Sequence, residues 1–282
     1  MPNPDDLPHL LALLDDEEDL VRENVYNALA AFGPELPTIV QPWLVGLSDD
    51  IRSRLNFLWE KMREQIFQEN WLSWLEIEDE SEALETALSW LGFTDGGLED
   101  QPLSQTLDNL FHQFLATDYQ RDLSGLMRFL FRDFGLRQPE KEYYHPRNSN
   151  LVYVIEQGFG LQISLSCVVI FMAARLNIQL YGFNMPGHFM VMSIEEEQFV
   201  VYDVFRQGKP LPKETLRSLV TSSQLNPALS RKWQATNEDI VARVLRNICL
   251  AYDRKGQGRH AKRFLGYLSQ LQQELKLRKD AS

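Results

Sequence analysis

A histidine and an aspartate in the middle of the chain have the types and spacing needed for acid–base chemistry. His188 opens one apolar segment, directly after Pro186-Gly187, and Asp203 lies near the end of the next. If these segments form an antiparallel hairpin with a loop centred on Glu195-Glu196, His188 lies directly opposite Asp203, with Cβ atoms about 5.5 Å apart. A carboxylate at that distance holds an imidazole in one tautomer, as in the second half of a nucleophile–His–Asp relay.

The same pair is compatible with simpler roles. It could be a surface pair without function, or a structural link that holds two strands together. The Pro186-Gly187 turn before His188 favours a functional role, because a tight turn fixes the position of the strand that follows.

The elements around this pair predict an α+β core. A segment from Ile163 to Leu176 is apolar nearly all round, which is typical of a buried helix. A shorter helix is predicted from Leu151 to Gln157, with Asn148 or Ser149 as its cap and Gly158 at its end. Strand patterns follow at 178–183, 188–194 and 198–204, so the helix should lie against an antiparallel sheet.

Helical patterns precede this core. Leu7-Pro8 and Val21-Arg22 recur as Leu36-Pro37 and Ile51-Arg52, roughly 30 residues later, and Ser48 is a predicted N-cap. These helix pairs resemble HEAT repeats, although an ordinary four-helix segment explains them as well. Residues 64–137 continue as helices, interrupted by a predicted loop at 92–100.

A helical hairpin is predicted at the C-terminal side of the core. Apolar residues recur at helical spacing from Asn237, stop at Gly256-Gln257-Gly258 and resume from Ala261. The pair resembles one tetratricopeptide unit. Such a hairpin serves either as a capping element or as a docking surface.

Composition excludes several classes of protein. The chain has 282 residues, 40 acidic and 28 basic, and a formal charge of -12, which argues against binding a nucleic-acid backbone. Two cysteines form neither a disulfide framework nor a four-ligand zinc site, and the five histidines are scattered. An acidic N-terminal segment and the lack of a long apolar run predict a cytoplasmic protein without a membrane span. The scattered histidines argue against a metal site, and no cofactor is expected.

The motifs together resemble the transglutaminase-like superfamily, and more narrowly its SirB-type bacterial branch. The resemblance covers roughly residues 65–275. It rests on the following segments: Tyr143 to Leu151, Gly160 with Ile163-Ser164-Leu165-Ser166, Ala174-Arg175-Leu176, Pro186-Gly187-His188-Phe189 and Tyr202-Asp203.

The resemblance implies a central helix that begins with a nucleophilic cysteine, followed by a histidine and an aspartate on strands. His188 and Asp203 match the latter two, but Gln162 stands where the cysteine is expected. The SirB-type branch often lacks this cysteine, so the substitution agrees with membership and puts activity in doubt.

Three later residues of the helix are candidate replacement nucleophiles. Ser164 is about 200° round the helix from position 162, and Cys167 is about 140° round and 7.5 Å further along. Ser166, about 40° off and one turn along, is the best oriented. A hydroxyl that merely lines a closed pocket explains Ser166 better than a nucleophile does.

The sequence therefore predicts a predominantly helical α+β protein in three parts. These are HEAT-like repeats at 1–64, a transglutaminase-like domain at 65–236 and a tetratricopeptide-like hairpin at 237–282. The expected function is a non-catalytic module that binds a protein or peptide, with Tyr144, His145 and Arg147 at the mouth of its cleft. The alternative is a hydrolase or acyltransferase that uses Ser166 or Cys167 with His188 and Asp203.

Overall fold

The structure is a computed structural model that describes residues 3–94, 101–185, 187–195, 198–222 and 233–281. Contacts divide the chain into two compact units. The first comprises residues 1–73 and 89–102, and the second residues 74–88 and 103–282.

The first unit is built from helices in pairs. Its helices are α1 (Leu7–Ala12), α2 (Asp19–Ala30), α3 (Leu36–Leu44), α4 (Asp49–Asn70) and the C-terminal part of α5 (Glu80–Phe93). Gly33, with φ +60°, separates the two pairs. The predicted cap of α4 is confirmed, because the Ser48 hydroxyl accepts a hydrogen bond from the Ile51 N–H. The apolar stripes meet in one core, and their assignment to HEAT repeats stays a prediction.

The second unit contains the remaining helices and the sheet. Its helices are the N-terminal part of α5, α6 (Leu103–Leu115), α7 (Leu123–Arg128), α8 (Leu151–Gln157), α9 (Gln162–Ala174), α10 (Lys213–Ser222), α11 (Asn237–Arg254) and α12 (Gly258–Ala281). A π-helical turn, Phe129–Asp133, extends α7. The predicted loop at 92–100 lies largely at 95–100, outside the described residues.

Helix α9 is the centre of the second unit. Every side chain from Gln162 to Ala173 is buried, as the apolar pattern predicts. Gly160 precedes it at a point of close packing, since a Cβ there would lie 2.6 Å from a methyl group of Val154. Helix α8 ends at Gly158, whose φ of +71° suits a glycine. Its cap, however, is Asn150 and not Asn148 or Ser149, because the Asn150 Oδ1 accepts from the N–H groups of the first turn.

Four antiparallel strands lie in the order β1 (Tyr181–Met185), β2 (His188–Glu195), β3 (Gln198–Asp203) and β4 (Lys209–Pro210). The fold class, predominantly helical α+β, is confirmed. The sequence placed the first strand too early, at Ile178 instead of Tyr181. Residues 177–180 instead belong to the connection between α9 and β1, in which Asn177 has a positive φ of 57°.

The register between β2 and β3 corrects a sequence prediction. Glu195 pairs with Gln198, so the two-residue loop is one position later than predicted and every cross-strand pair shifts by two residues. The ladder ends at Val191–Tyr202, and β3 continues by pairing Asp203 with Lys209. His188 instead pairs with Met185 of β1. His188 and Asp203 are therefore not directly opposite each other.

Helices α11 and α12 form the predicted hairpin. Thr236 and Asp239 make a capping box at the start of α11, and Gly256, with φ +72°, separates the helices. Their apolar faces bury Leu245, Phe264 and other side chains. The likeness to a tetratricopeptide unit, like the three predicted domain boundaries, stays a prediction.

Candidate functional site

Gln162 is the first residue of α9 and lies at the point where three elements meet. The Leu161 N–H donates to the Asn148 carbonyl (3.2 Å), which ties the start of the helix to the preceding loop. Gln162 is 8% exposed. Its position at a helix N-terminus matches the site at which the family resemblance places a nucleophile.

The amide of Gln162 is bonded on both sides. Its Oε1 accepts a hydrogen bond from the Phe189 N–H of β2 (3.0 Å), and its Nε2 donates a longer bond to Asp203 Oδ1 of β3 (3.4 Å). Phe189 is 1% exposed, so its N–H has little access to water. Gln162 thus satisfies a buried donor and connects the central helix to two strands.

Asp203 is engaged by several groups. Its Oδ1 also accepts from the Phe205 N–H (2.9 Å), which caps a 3-10 turn, and its Oδ2 lies 3.7 Å from the Arg206 Nε. Its carbonyl accepts from the Gly208 N–H (2.9 Å). The carboxylate therefore orients the turn between β3 and β4 as well as the glutamine amide.

His188 lies beside this network but is not part of it. It is exposed at the beginning of β2, after Gly187 with φ +79°; Pro186, the other half of the predicted turn, lies outside the described residues. Among the described residues no hydrogen bond or ion pair joins its imidazole to Asp203 or Gln162. Asp203 therefore does not orient the imidazole of His188, and the two side chains do not link β2 to β3 in this structure.

The three candidate nucleophiles on the helix are all buried. The Ser164 hydroxyl donates to the Asn148 carbonyl (2.8 Å) and so holds the preceding loop. Ser166 is 0% exposed, and its Oγ has no hydrogen-bond partner among the described residues. Burial raises the pKa of the Cys167 thiol to about 12. A fully buried neutral thiol is not a nucleophile near pH 7.

The predicted cleft-mouth residues lie in a loop that packs on two helices. The Arg147 N–H donates to His145 Nδ1, and both side chains lie against the ring of Tyr153 on α8. The guanidinium of Arg254 on α11 lies 3.6 Å from the ring centre of Tyr144. The Arg147 and Tyr144 side chains are exposed, and that of His145 is half-buried.

Arg243 of α11 is a site residue that the sequence analysis missed. Its guanidinium donates to the Met185 carbonyl (3.1 Å), bonds to Asn184 and lies over the Phe189 ring, so it holds the end of the β1–β2 hairpin. Burial and the nearby Arg246 lower its pKa, and Tyr143 of the loop opposes that change. Helical periodicity marks Arg243 only as a polar position, and nothing local reveals a partner about 60 residues away.

No group of three or more His, Cys, Asp or Glu side chains in the described ranges is arranged to hold a metal ion. Nor is any helix within those ranges long and apolar enough to cross a membrane.

Comparison with known proteins identifies the family. A family model described as the transglutaminase-like superfamily matches residues 101–246, about half of the chain. The chain belongs to the transglutaminase-like superfamily. The match includes α6 to α9, the sheet and the first half of α11. The hydrogen bonds from Gln162 to Phe189 and Asp203, here called the Gln162 bridge, therefore lie within the transglutaminase-like part.

Curated relatives of this transglutaminase-like chain carry the name UPF0162 protein. Those from two strains of Xylella fastidiosa, 9a5c and Temecula1, are each 30% identical over 210 residues, covering 68% of this chain and 72% of the relative. One from Haemophilus influenzae is 22% identical over 135 residues, covering 46% of this chain and 50% of the relative. No solved structure matches the chain.

Proposed function

We propose that this protein is a non-catalytic member of the SirB-type branch that binds a protein or peptide segment without chemical turnover. The observation that carries the proposal is the position of Gln162, whose amide takes the place of a nucleophile at the start of α9 and bridges Phe189 and Asp203. The branch assignment rests on the motifs quoted above and on membership of the superfamily.

The chemistry of an amide supports loss of catalysis. A glutamine side chain at neutral pH neither attacks a carbonyl group nor transfers a proton, since its nitrogen lone pair is delocalised. The Nε2 donates to Asp203, so the acid that would orient a catalytic imidazole is engaged by the residue that replaced the nucleophile. Catalysis of the cysteine type therefore has neither its attacking atom nor its oriented base.

The hydrolase alternative receives no support from the geometry. It requires Ser166 or Cys167 within hydrogen-bond distance of His188, roughly 2.6–3.2 Å. The Ser166 hydroxyl makes no hydrogen bond within the described residues, Cys167 is fully buried, and His188 lies at the surface. Buried serine and cysteine at helical spacing fit packing in the core.

The exposed groups beside the bridge are the ones available to a partner. The Gln162 amide is covered, so it supports the site and does not line an open cleft. His188, Tyr144 and Arg147 present an imidazole, a phenol and a guanidinium to solvent. Helix α11 contacts both segments that carry them, because Arg243 bonds to the β1–β2 hairpin and Arg254 lies over the Tyr144 ring. Aromatic and arginine side chains of this kind are enriched in protein interfaces.

A pull-down with an alanine variant tests the binding role. Purified protein is incubated with peptides carrying glutamine and lysine, and retained peptides are identified by mass spectrometry. We expect intact peptides, and weaker retention by His188→Ala than by the control His112→Ala, which removes another exposed histidine from α6. Equal retention by both variants would contradict a binding role for this surface. Cleaved or cross-linked products would contradict the absence of catalysis.

A second experiment examines the former nucleophile position. Gln162→Cys places a thiol at the helix N-terminus, where the dipole favours the thiolate. Labelling by iodoacetamide near pH 7 is compared with Gln162→Ser, which retains only the two native cysteines. Fast labelling of the new thiol would indicate that the activating surroundings survive and only the nucleophile is missing. Slow labelling would show either that these surroundings are lost or that the thiol is covered, as the glutamine amide is.

A further inference from the structure

A second site lies on the transglutaminase-like unit between α7 and the β3–β4 turn. It is a cavity of about 450 Å³, within the range of natural ligand pockets, roughly 300–1,000 Å³. Its lining comes from α7 and the π-helical turn on one side and from the two strands on the other. The lining residues that matter most are Met127, Arg128, Phe131, Arg132, Tyr202 and Lys209.

The charge of this cavity is opposite to that of the whole chain. Arg128, Arg132 and Lys209 line it, no acidic residue in the described part of the chain does, and the chain carries a formal charge of -12. Within the described residues none of these three side chains forms an ion pair or a hydrogen bond. Three positive charges around one concavity repel one another. An anion bound between them relieves this repulsion, so the cavity favours an anionic ligand.

Asp122 and Asp133, the acids closest along the chain to Arg128 and Arg132, form no ion pair with them within the described residues. Asp203, the cross-strand partner of Lys209, forms none with that lysine either. Asp122 caps α7, and its Oδ1 accepts a hydrogen bond from the Gly125 N–H (2.7 Å). Asp133 bonds to the Tyr119 side chain, which raises the pKa of that tyrosine. Both carboxylates therefore have structural partners.

The floor of the cavity is apolar and closely packed. Met127 and Phe131 are each 6% exposed. Gly208 approaches them so closely that a Cβ would lie 2.5 Å from the Met127 sulfur and 2.9 Å from the Phe131 ring. Its φ of +64° also favours glycine. The turn is thus held against α7, and the cavity is formed before any ligand arrives.

We propose that this cavity binds an acidic peptide segment of a partner protein, with one apolar side chain on the Met127–Phe131 floor and carboxylates at the surrounding cations. An inorganic anion would leave the apolar floor unused, and an apolar ligand would leave three cations unpaired. Two arginines suit recognition of carboxylates, because a guanidinium can donate two parallel hydrogen bonds. The site does not include Gln162, so this proposal does not depend on the role of that residue.

Fluorescence anisotropy with defined peptides tests this proposal. The probe is fluorescein-labelled Glu-Glu-Phe-Glu-Glu, measured against the full chain at 50 mM and 300 mM salt. We expect saturable binding that weakens severalfold at the higher salt concentration, because exposed charges are screened. Arg128→Glu with Lys209→Glu should weaken binding at least tenfold. The control Lys262→Glu, at an exposed position of α12, changes the net charge but should leave binding nearly unchanged.

Further probes separate the peptide from other anions. Replacing phenylalanine by serine in the probe should weaken binding, and a probe with lysine in place of glutamate should not bind. The neutral variant Arg128→Gln, checked by circular dichroism, should give an intermediate affinity if the fold is unchanged. Equal binding by the double variant and wild type would overturn the proposal. Tighter binding of citrate or a single-stranded oligonucleotide than of the peptide would overturn it too.

Discussion

Substituting Gln162 by glutamate tests whether its amide is a structural bridge. The new carboxylate can still accept from the Phe189 N–H, but it replaces a donor to Asp203 by a second negative charge. Two unit charges at the observed separation of 3.4 Å repel by about 5 kcal/mol at an effective dielectric constant of about 20. The Asp203 side chain is only 16% exposed, and its partner Arg206 is mostly exposed, so compensation is small.

Proton uptake limits this loss and makes it dependent on pH. The new carboxyl has its pKa raised in the folded state by the carboxylate of Asp203. Stability is therefore retained at low pH and lost as the pH rises. Protonation costs about 1.36 kcal/mol for each pH unit above an ordinary glutamate pKa of about 4.3. The loss thus cannot exceed about 3.7 kcal/mol at pH 7 or about 1.6 kcal/mol at pH 5.5.

Urea unfolding followed by circular dichroism measures both values, and pH 5.5 stays above the sequence pI of about 4.9. Gln162→Ala is the matched variant. It leaves the Phe189 N–H unpaired at a cost of about 1–3 kcal/mol, the same at both pH values. Hydrogen exchange at the Phe189 amide should accelerate in Gln162→Ala more than in Gln162→Glu. A loss in Gln162→Glu that is equal at pH 5.5 and pH 7, or no loss at all, would refute the bridge.

Three further predictions concern packing and capping in the same unit. Gly208→Ala should cost about 2–4 kcal/mol in urea unfolding, because its Cβ would meet Met127 at positive φ. Gly266→Ala, in open space on α12, should stabilise the protein by up to about 1 kcal/mol. Equal effects of the two substitutions on the free energy of unfolding would contradict the close contact of Gly208 with Met127. Burial raises the Cys167 pKa from 9.0 to about 12, so wild type should lose about 1.4 kcal/mol more than Cys167→Ala between pH 8 and pH 10. If the stabilities of wild type and Cys167→Ala change in parallel with pH, the Cys167 thiol is accessible to water. Asn150→Ala should cost about 1 kcal/mol, and no change would contradict its capping role.

The sequence predicts the helices and strands of the site better than it predicts the register in which the strands pair. A segment that is apolar all round, such as Ile163 to Leu176, has few alternatives to a buried helix, and α9 forms there. Alternation of apolar residues likewise locates β2 and β3 within one residue of their observed bounds. These patterns are local, so they can be interpreted without knowing how distant segments of the chain pair.

The register of β2 and β3 could not be derived in the same way. Three consecutive glutamates at 195–197 provide equivalent loop positions, and solvation of their charges does not distinguish a loop at 195–196 from one at 196–197. The observed Glu195–Gln198 pair moves each partner by two residues. A two-residue shift leaves every side chain on its own face of the sheet, so the hydrophobic pattern does not oppose it.

The hydrogen bonds of Asp203 give this residue a role in the fold that does not require a nucleophile at position 162. Asp203 supports the helix start through Gln162, the following turn through Phe205 and, by its carbonyl, the Gly208 N–H. These bonds act on the fold and not on a substrate. They give Asp203 a structural role that needs no histidine, which agrees with an imidazole left at the surface. The two residues that resemble a catalytic pair thus differ in their surroundings, with Asp203 hydrogen-bonded inside the structure and His188 exposed at the surface.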